Sequence, residues 1–337
     1  MSATILLTVI ASFLITLLIR NFAIKHHQLD IPNARSSHQR PTPRGAGAAI
    51  VVVFIIGLLL LTVSDKFNLD NFQTIVIPGL LVAIVGYLDD HGKVIAARWR
   101  LVAHFTAAVV AVYLLGGLPL MPIFGATLNL GQVGNVFAVV YLVWMLNLFN
   151  FMDGIDSITG IETLTTCLTL AIFIFIKTES ELWRIPVLLS AAVAGFLYFN
   201  LPPAKIFLGD VGSGFIGFTI GTISLVIAKT EPLHTWALII LLGVFIVDAT
   251  VTLTRRLIDR KHAYIAHRTH AYQHLATNSS RHLTVSLEIA AINIFWLAPL
   301  AWLVTDEKLQ PVIGVAVAYT PLIILAIYLK AGKQKIN

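Results

Sequence analysis

The sequence predicts an all-α polytopic membrane protein: one integral domain, 1–337, built as a bundle of about 11 transmembrane helices with a periplasmic N-terminus and a cytoplasmic C-terminus. Three observations predict it. Fifty-seven per cent of the residues are apolar and 12% are charged, about half the charge of an average soluble domain. Mean hydropathy is +0.85. The apolar residues also fall in runs of about 17 to 25, the length that crosses a bilayer core. A soluble globule of this composition would expose large apolar patches. One cysteine, Cys167, and no glycine period or heptad run exclude a disulfide scaffold, collagen and a coiled coil.

The expected spans, in order, are 3–19, 45–63, 72–88, 101–118, 133–150, 158–176, 187–201, 206–228, 234–253, 285–304 and 310–329. The first reads as a retained helix, because no small-residue cleavage site follows it. The weakest is 187–201, which is short and follows Pro186. The stretch 116–135 reads as an ordered loop. No 20–50-residue repeat is visible. Of the 23 Lys and Arg, 18 fall in alternate loops, those after the odd-numbered spans. The positive-inside rule makes these loops cytoplasmic. The net charge of +6 is therefore first a matter of topology.

The polar residues are unevenly shared. Asp30, Asp89, Asp90, Asp153, Asp156, Asp210 and Asp259 all fall on the cytoplasmic side, as do His38, His91, His262, His267, His270 and His274. The other side carries scattered acids beside lysines. Loops at one face of a bundle can converge on a cleft.

Four segments concentrate this chemistry. Asp89 and Asp90 are adjacent carboxylates at a membrane surface, which repel each other and attract a cation; a pair of solvated loop acids is an equal alternative. Asn147, Asn150, Asp153 and Asp156 recur every third residue, which on one continuous helix gives a single oxygen-bearing stripe suited to a hard cation. Asp156 could instead cap the next helix. Asn200-Leu201-Pro202-Pro203 breaks a span, and Asp210 then opens a glycine-rich stretch; Gly217 and Gly221 read as helix packing. From Arg255 to His282 the loop is rich in Arg and His. His267 and His270 lack a third soft ligand for zinc, so with Arg268 they read as an anion site using protonatable histidines. Arg44, in the Pro-rich first cytoplasmic loop, adds positive charge. Asp248, inside a span, is an acid that either supports this site or, as the alternative, marks a secondary transporter.

Carboxylates for a divalent metal, basic loops and a lipid-facing surface suit phosphoryl transfer, which needs alignment and charge neutralisation more than covalent help from the protein. The ordered motifs, Asp89-Asp90, then Asn147-x-x-Asn150-Phe151-x-Asp153-Gly154-x-Asp156, then Asn200-x-Pro202-Pro203-Ala204-Lys205-Ile206-Phe207-Leu208-Gly209-Asp210, then the histidine loop, resemble the polyprenyl-phosphate N-acetylhexosamine-1-phosphate transferases (glycosyltransferase family 4). The resemblance runs from Arg35 to His274. It implies transfer of HexNAc 1-phosphate from UDP-HexNAc to undecaprenyl phosphate, with UMP released, in a bacterial inner membrane at the start of cell-surface polysaccharide synthesis, here of O-antigen/lipopolysaccharide type. It implies Mg²⁺, with Mn²⁺ as a substitute, held by Asp210 and Asn150. Asp89 and Asp90 would sit beside the metal and acceptor phosphate, with Asp153, His267 and His270 also in the catalytic set. Asp156 and Asn200 would hold uridine, Phe207 would stack on uracil, and Arg100, Arg44 and Arg268 would contact substrate. Beyond these substrates and the bilayer, it implies no nucleic-acid partner and admits a homodimer.

Overall fold

A computed structural model of the chain describes residues 2–32, 40–92, 95–260, 267–276 and 281–333. His38 and His262, named above, lie outside the described residues, as does Arg35. The architecture is helical throughout, with two short antiparallel hairpins, β1 (Leu29–Asp30) with β2 (Thr42–Pro43) and β3 (Met121–Ile123) with β4 (Ala126–Leu128). The second hairpin occupies the stretch expected to be an ordered loop.

Nine helices among the described residues are long and apolar enough to cross a bilayer. They are α1 (Ser2–Lys25), α3 (Leu69–Asp90), α4 (Ala97–Leu115), α5 (Gly131–Met152), α6 (Ile158–Lys177), α7 (Arg184–Asn200), which a 3-10 turn (Glu181–Trp183) extends to 20 residues, α8 (Asp210–Ala228), the segment from α12 (His282–Ile292) through a π-helical turn (Asn293–Leu297) to α13 (Ala298–Thr305), and α14 (Pro311–Tyr328). A tenth crossing is broken: α9 (Pro232–Leu241) and α10 (Gly243–Ile258) meet at 64°. Helix α2 (Gly47–Val63) stands where 45–63 was expected, but has 17 residues, about 26 Å at 1.5 Å per residue. The weak crossings are thus 45–63 and 234–253, not 187–201. Pro186 lies in the first turn of α7, where a missing N–H leaves no hydrogen bond unmade, so that helix is complete. A short helix, α11 (Ala271–Leu275), lies in the histidine loop.

Helix α8 is the hub. Every residue from Val211 to Ala228 is buried, and the helix packs on α3 and α5, with α2 and α9 beside them. Small residues allow the close approach. A Cβ on Gly217 would strike the Met145 carbonyl of α5, and one on Gly221 would press on Leu142 and Met145. The packing role expected of this pair is what the fold uses. Gly212 is also a packing glycine, because its backbone meets Gly47 of α2.

Two contacts position the future site. A Cβ on Gly86 would lie 2.6 Å from the backbone of Asp210 and Val211, so α3 and the start of α8 touch main chain to main chain. The segment before α8 is stitched to the start of α2: the Phe207 N–H donates to Pro43 O at 2.8 Å and the Gly47 N–H to Leu208 O at 2.8 Å. That pairing fixes Arg44.

Replacing Gly86 with Ala should force α3 away from α8. We expect a destabilisation of about 1–3 kcal/mol, the usual cost of overpacking, read as a lowered unfolding midpoint in detergent. Gly92→Ala, where a Cβ meets nothing within 4 Å but φ is +75°, should cost less.

Candidate active site

The N-terminus of α8 organises the site. Its first backbone N–H groups have no partner within the helix, and Asp90 supplies one: Asp210 N donates to Asp90 Oδ1 at 3.0 Å and Val211 N to Asp90 Oδ2 at 3.1 Å. Arg44 donates to Asp90 Oδ1 at 2.5 Å. Gly209, at φ +78°, has no room for a Cβ beside this carboxylate. Asp90 is fully buried and its oxygens are committed, so of the two adjacent acids it is the structural one.

Asp89 points the other way, into a cavity, and accepts from Arg100 at 2.6 Å. Asp210 lies between the two arginines, 3.8 Å from Arg44 and 3.8 Å from Arg100, with 40% of its side chain exposed. Burial disfavours the Arg44 charge, but Asp90 and Asp210 outweigh it and raise the guanidinium pKa.

The expected four-residue stripe is interrupted. Helix α5 ends at Met152, so only Asn147 and Asn150 share a helical face. Both line the cavity. Asn150 accepts from the Ser213 hydroxyl at 2.6 Å, and Asn147 donates to the Val143 carbonyl. Asp153 caps the end of α5, where burial pushes its carboxyl up to about 7, with Asp90 adding and Arg44 opposing. Asp156 turns into the protein and accepts from Ala204 N at 3.1 Å, and His282 Nδ1 lies 3.4 Å from the same carboxylate. Asn200 accepts from Ser157 N at 2.9 Å and donates to Ile206 O at 3.1 Å. Both are buried, and their polar atoms tie the 200–209 segment to the start of α6. Phe207, expected to stack on uracil, is half-buried and bridged to Arg44 through its backbone.

The histidine loop is anchored by Asp248. This buried acid of α10 accepts from Ala271 N at 2.9 Å and Tyr272 N at 3.0 Å, and lies 3.3 Å from His270 Nδ1. Its supporting role is therefore direct, and the one residue that argued for a transporter is accounted for. Tyr272 donates to the Phe151 carbonyl at 3.1 Å, closing the loop over Gly154. His267 stacks on His270 and is held near pKa 4, chiefly by burial and then by His270 and Arg256. Burial thus disfavours a charge on His267, one of the two histidines expected to bind an anion. Arg268 is half-buried in the same loop.

These elements enclose a cavity of about 520 Å³ reached by Asp89, Arg100, Asn150, Asp210, His267 and His270. Asp90, Arg44, Asp153, Asp156, Asn200, Phe207 and Arg268 support it from outside its lining. Of the titratable cavity residues, His104 escaped the motifs, and Tyr272 and Gln273 of the histidine loop line the cavity without having been assigned a role. The signal for His104 was available, since it follows Arg100 by four residues on one helical face. Among the described residues, no three His, Cys, Asp or Glu side chains form a metal cage. The donors present are oxygens, from Asp210 and Asn150 with Asp89 adjacent. They fit a hard cation that keeps most of its waters and takes the rest of its ligands from a phosphate.

The fold and cavity are those of a helical membrane protein with a polar, carboxylate-lined site, and the comparisons say which known proteins it is similar to. Residues 72–228 match the model described as Glycosyl transferase family 4. The chain is 27% identical over 297 residues to a probable undecaprenyl-phosphate N-acetylglucosaminyl 1-phosphate transferase of Bacillus subtilis (strain 168), covering 86% of this chain and 80% of that one. It is also similar to the phospho-N-acetylmuramoyl-pentapeptide-transferases of Bacillus licheniformis (29% over 266 residues, 72% of this chain and 80% of that one) and Streptococcus mutans serotype c (26% over 272 residues, 74% and 78%). These similarities support the polyprenyl-phosphate N-acetylhexosamine-1-phosphate transferase family.

Asp153 gives a pH signature. Its carboxyl holds a proton more tightly folded, at about 7, than the ordinary value of 3.8. Folding is therefore favoured while it is protonated, and stability falls as pH rises from about 4 to about 7, levelling above. Asp153→Asn should lack this slope. Thermal unfolding in detergent without divalent cations, compared across that window, checks it; parallel curves would show that the carboxyl ionises freely.

Proposed function

We propose that this protein transfers N-acetylhexosamine 1-phosphate from UDP-HexNAc to undecaprenyl phosphate, giving undecaprenyl-diphosphate-HexNAc and UMP. The reading places it in the bacterial inner membrane with its site on the cytoplasmic face, at the first committed step of a cell-surface polysaccharide of O-antigen/lipopolysaccharide type. One observation carries it: the carboxylate-lined cavity adjoins an apolar groove. Leu101 lines both that cavity and an apolar groove of about 490 Å³ on α4, which continues through Phe105 and Val109 into a second groove of about 640 Å³ between α4 and α5. A water-soluble diphosphate and a long hydrocarbon chain can thus meet at one point.

In the reaction, a lipid-phosphate oxygen attacks the phosphorus that bears the sugar. A P–O bond forms there, and the bond to the UMP oxygen breaks, so the electron pair leaves with UMP. The acceptor phosphate has a second pKa near about 6 and is largely dianionic at neutral pH, so little deprotonation is required. Asp90 is spent on the α8 N-terminus and Asp89 on Arg100, which favours direct attack over an aspartyl-phosphate intermediate. Asp89 then orients Arg100 toward phosphate or takes a residual proton. Mg²⁺, or Mn²⁺ in its place, would be held by Asp210 and Asn150 and would neutralise charge on the diphosphate. His267, neutral, and His270, fixed by Asp248, present hydrogen-bonding groups at the donor end. The relatives named above act, by their names, on N-acetylglucosaminyl and N-acetylmuramoyl-pentapeptide phosphates, and a panel is therefore the right test.

Purified protein, undecaprenyl phosphate and Mg²⁺ should release UMP from at least one of UDP-GlcNAc, UDP-FucNAc or UDP-QuiNAc, with the matching lipid product seen by mass spectrometry. Asp210→Asn should lower kcat by about 10³-fold, in the range of lost electrostatic stabilisation. Asp89→Asn should keep measurable turnover at raised pH. Absence of UMP with every donor would overturn the reading, and a phosphorylated protein isolated with UDP-sugar alone would overturn direct attack.

A further inference from the structure

The mouth between the polar cavity and the apolar groove is guarded by a side chain that the sequence motifs do not include. His104 lies on α4, four residues after Arg100 and on the same face. It lines the cavity together with Arg100 and Leu101, while Leu101 and Phe105, its neighbours on the adjoining face, line the groove. The charged groups nearest on α3, α4 and α8 are already paired in part, and Arg100 keeps N–H groups free for a phosphate. Arg100 is bound to Asp89 at 2.6 Å, and Asp89 and Asp210 are acids that repel a phosphate. Among the described residues, no hydrogen bond engages the His104 ring, which is half-buried and open to the cavity.

We propose that His104 binds the headgroup of the acceptor lipid, donating a ring N–H to a non-bridging oxygen of its phosphate as the chain enters from the α4 groove. The proposal rests on the transferase reading above and adds a residue to it. The geometry requires such a group. A phosphomonoester brought past Leu101 meets the two carboxylates from their acidic side, and a neutral donor one helical turn from Arg100 completes a two-point grip without adding charge to the membrane interior. His267, His270 and Gln273 of the histidine loop line the same cavity, and the proposal assigns the donor diphosphate to them and the acceptor phosphate to His104.

Steady-state kinetics of His104→Ala should show KM for undecaprenyl phosphate raised about 10-fold or more, as expected for a lost hydrogen bond to a charged group, with KM for the UDP-sugar within about twofold of wild type. His104→Gln, which keeps a side-chain N–H donor, should recover most of the loss and controls for folding. Farnesyl phosphate, whose short tail barely fills the groove, should suffer the same fold-change in the Ala variant, whereas Val109→Asp in the groove should penalise only the long chain. A rise in donor KM, or a fall in kcat with acceptor KM unchanged, would overturn the assignment. Binding of radiolabelled undecaprenyl phosphate without nucleotide separates it from the parent reading. If wild type binds the lipid about 10-fold more tightly than His104→Ala yet releases no UMP, the headgroup site stands and the transferase reading fails. If both bind equally, the headgroup site fails.

Discussion

The contact between the Asp90 carboxylate and the first amides of α8 is the constraint on which the rest of the site depends. A buried, ionised acid is expensive unless its oxygens are filled. Here two backbone N–H groups and Arg44 fill them, at the positive end of a helix dipole. The arrangement needs glycine twice. Gly86 lets α3 and α8 touch, and Gly209 leaves space beside the carboxylate. Once Asp90 is locked, its neighbour Asp89 must emerge on another side of α3, toward the cavity. The first residue of α8, Asp210, must stand between Arg44 and Arg100. One cap thus places three acids and two arginines, and it explains why two adjacent carboxylates occur at all: one holds the helix and the other faces the cavity.

Much of the fold was legible because a membrane imposes simple rules on length and charge. Eleven apolar runs correspond to the nine full helices, the broken pair α9–α10 and the short α2. What the runs could not reveal was where helices stop. Hydropathy does not register that α5 ends at Met152, so a spacing argument extended its polar stripe onto Asp153 and Asp156, which lie in the turn beyond. Nor does hydropathy see the break at Leu242, which adjoins Gly243, a residue packed against Tyr319.

The site was legible by residue type and less so by role. Asp89, Asn150, Asp210, His267 and His270 converge as the motifs implied. Asp156 and Asn200 carry equally polar side chains but use them on backbone of the 200–209 segment, a distinction that depends on tertiary partners and not on spacing. Glu162 is a further case. It is buried in the second turn of α6 and accepts from Asn293 at 2.7 Å, where α12 gives way to its π-helical turn. An intramembrane acid is a functional suspect on sequence grounds, yet here it joins two helices at the point where one departs from regular geometry.

The complete burial of α8 has a consequence for life in a changing bilayer. Lipid never wets the helix whose first residue is Asp210; α3 and α5 and the other neighbours stand between it and the hydrocarbon. Thickness mismatch is met by tilt and by distortion of whatever touches the acyl chains, and that burden falls on peripheral helices such as α1 and α14, which are largely exposed. The helix that begins at Asp210 and takes Asp90 at its N-terminus is thereby shielded from changes in fatty-acid composition and growth temperature.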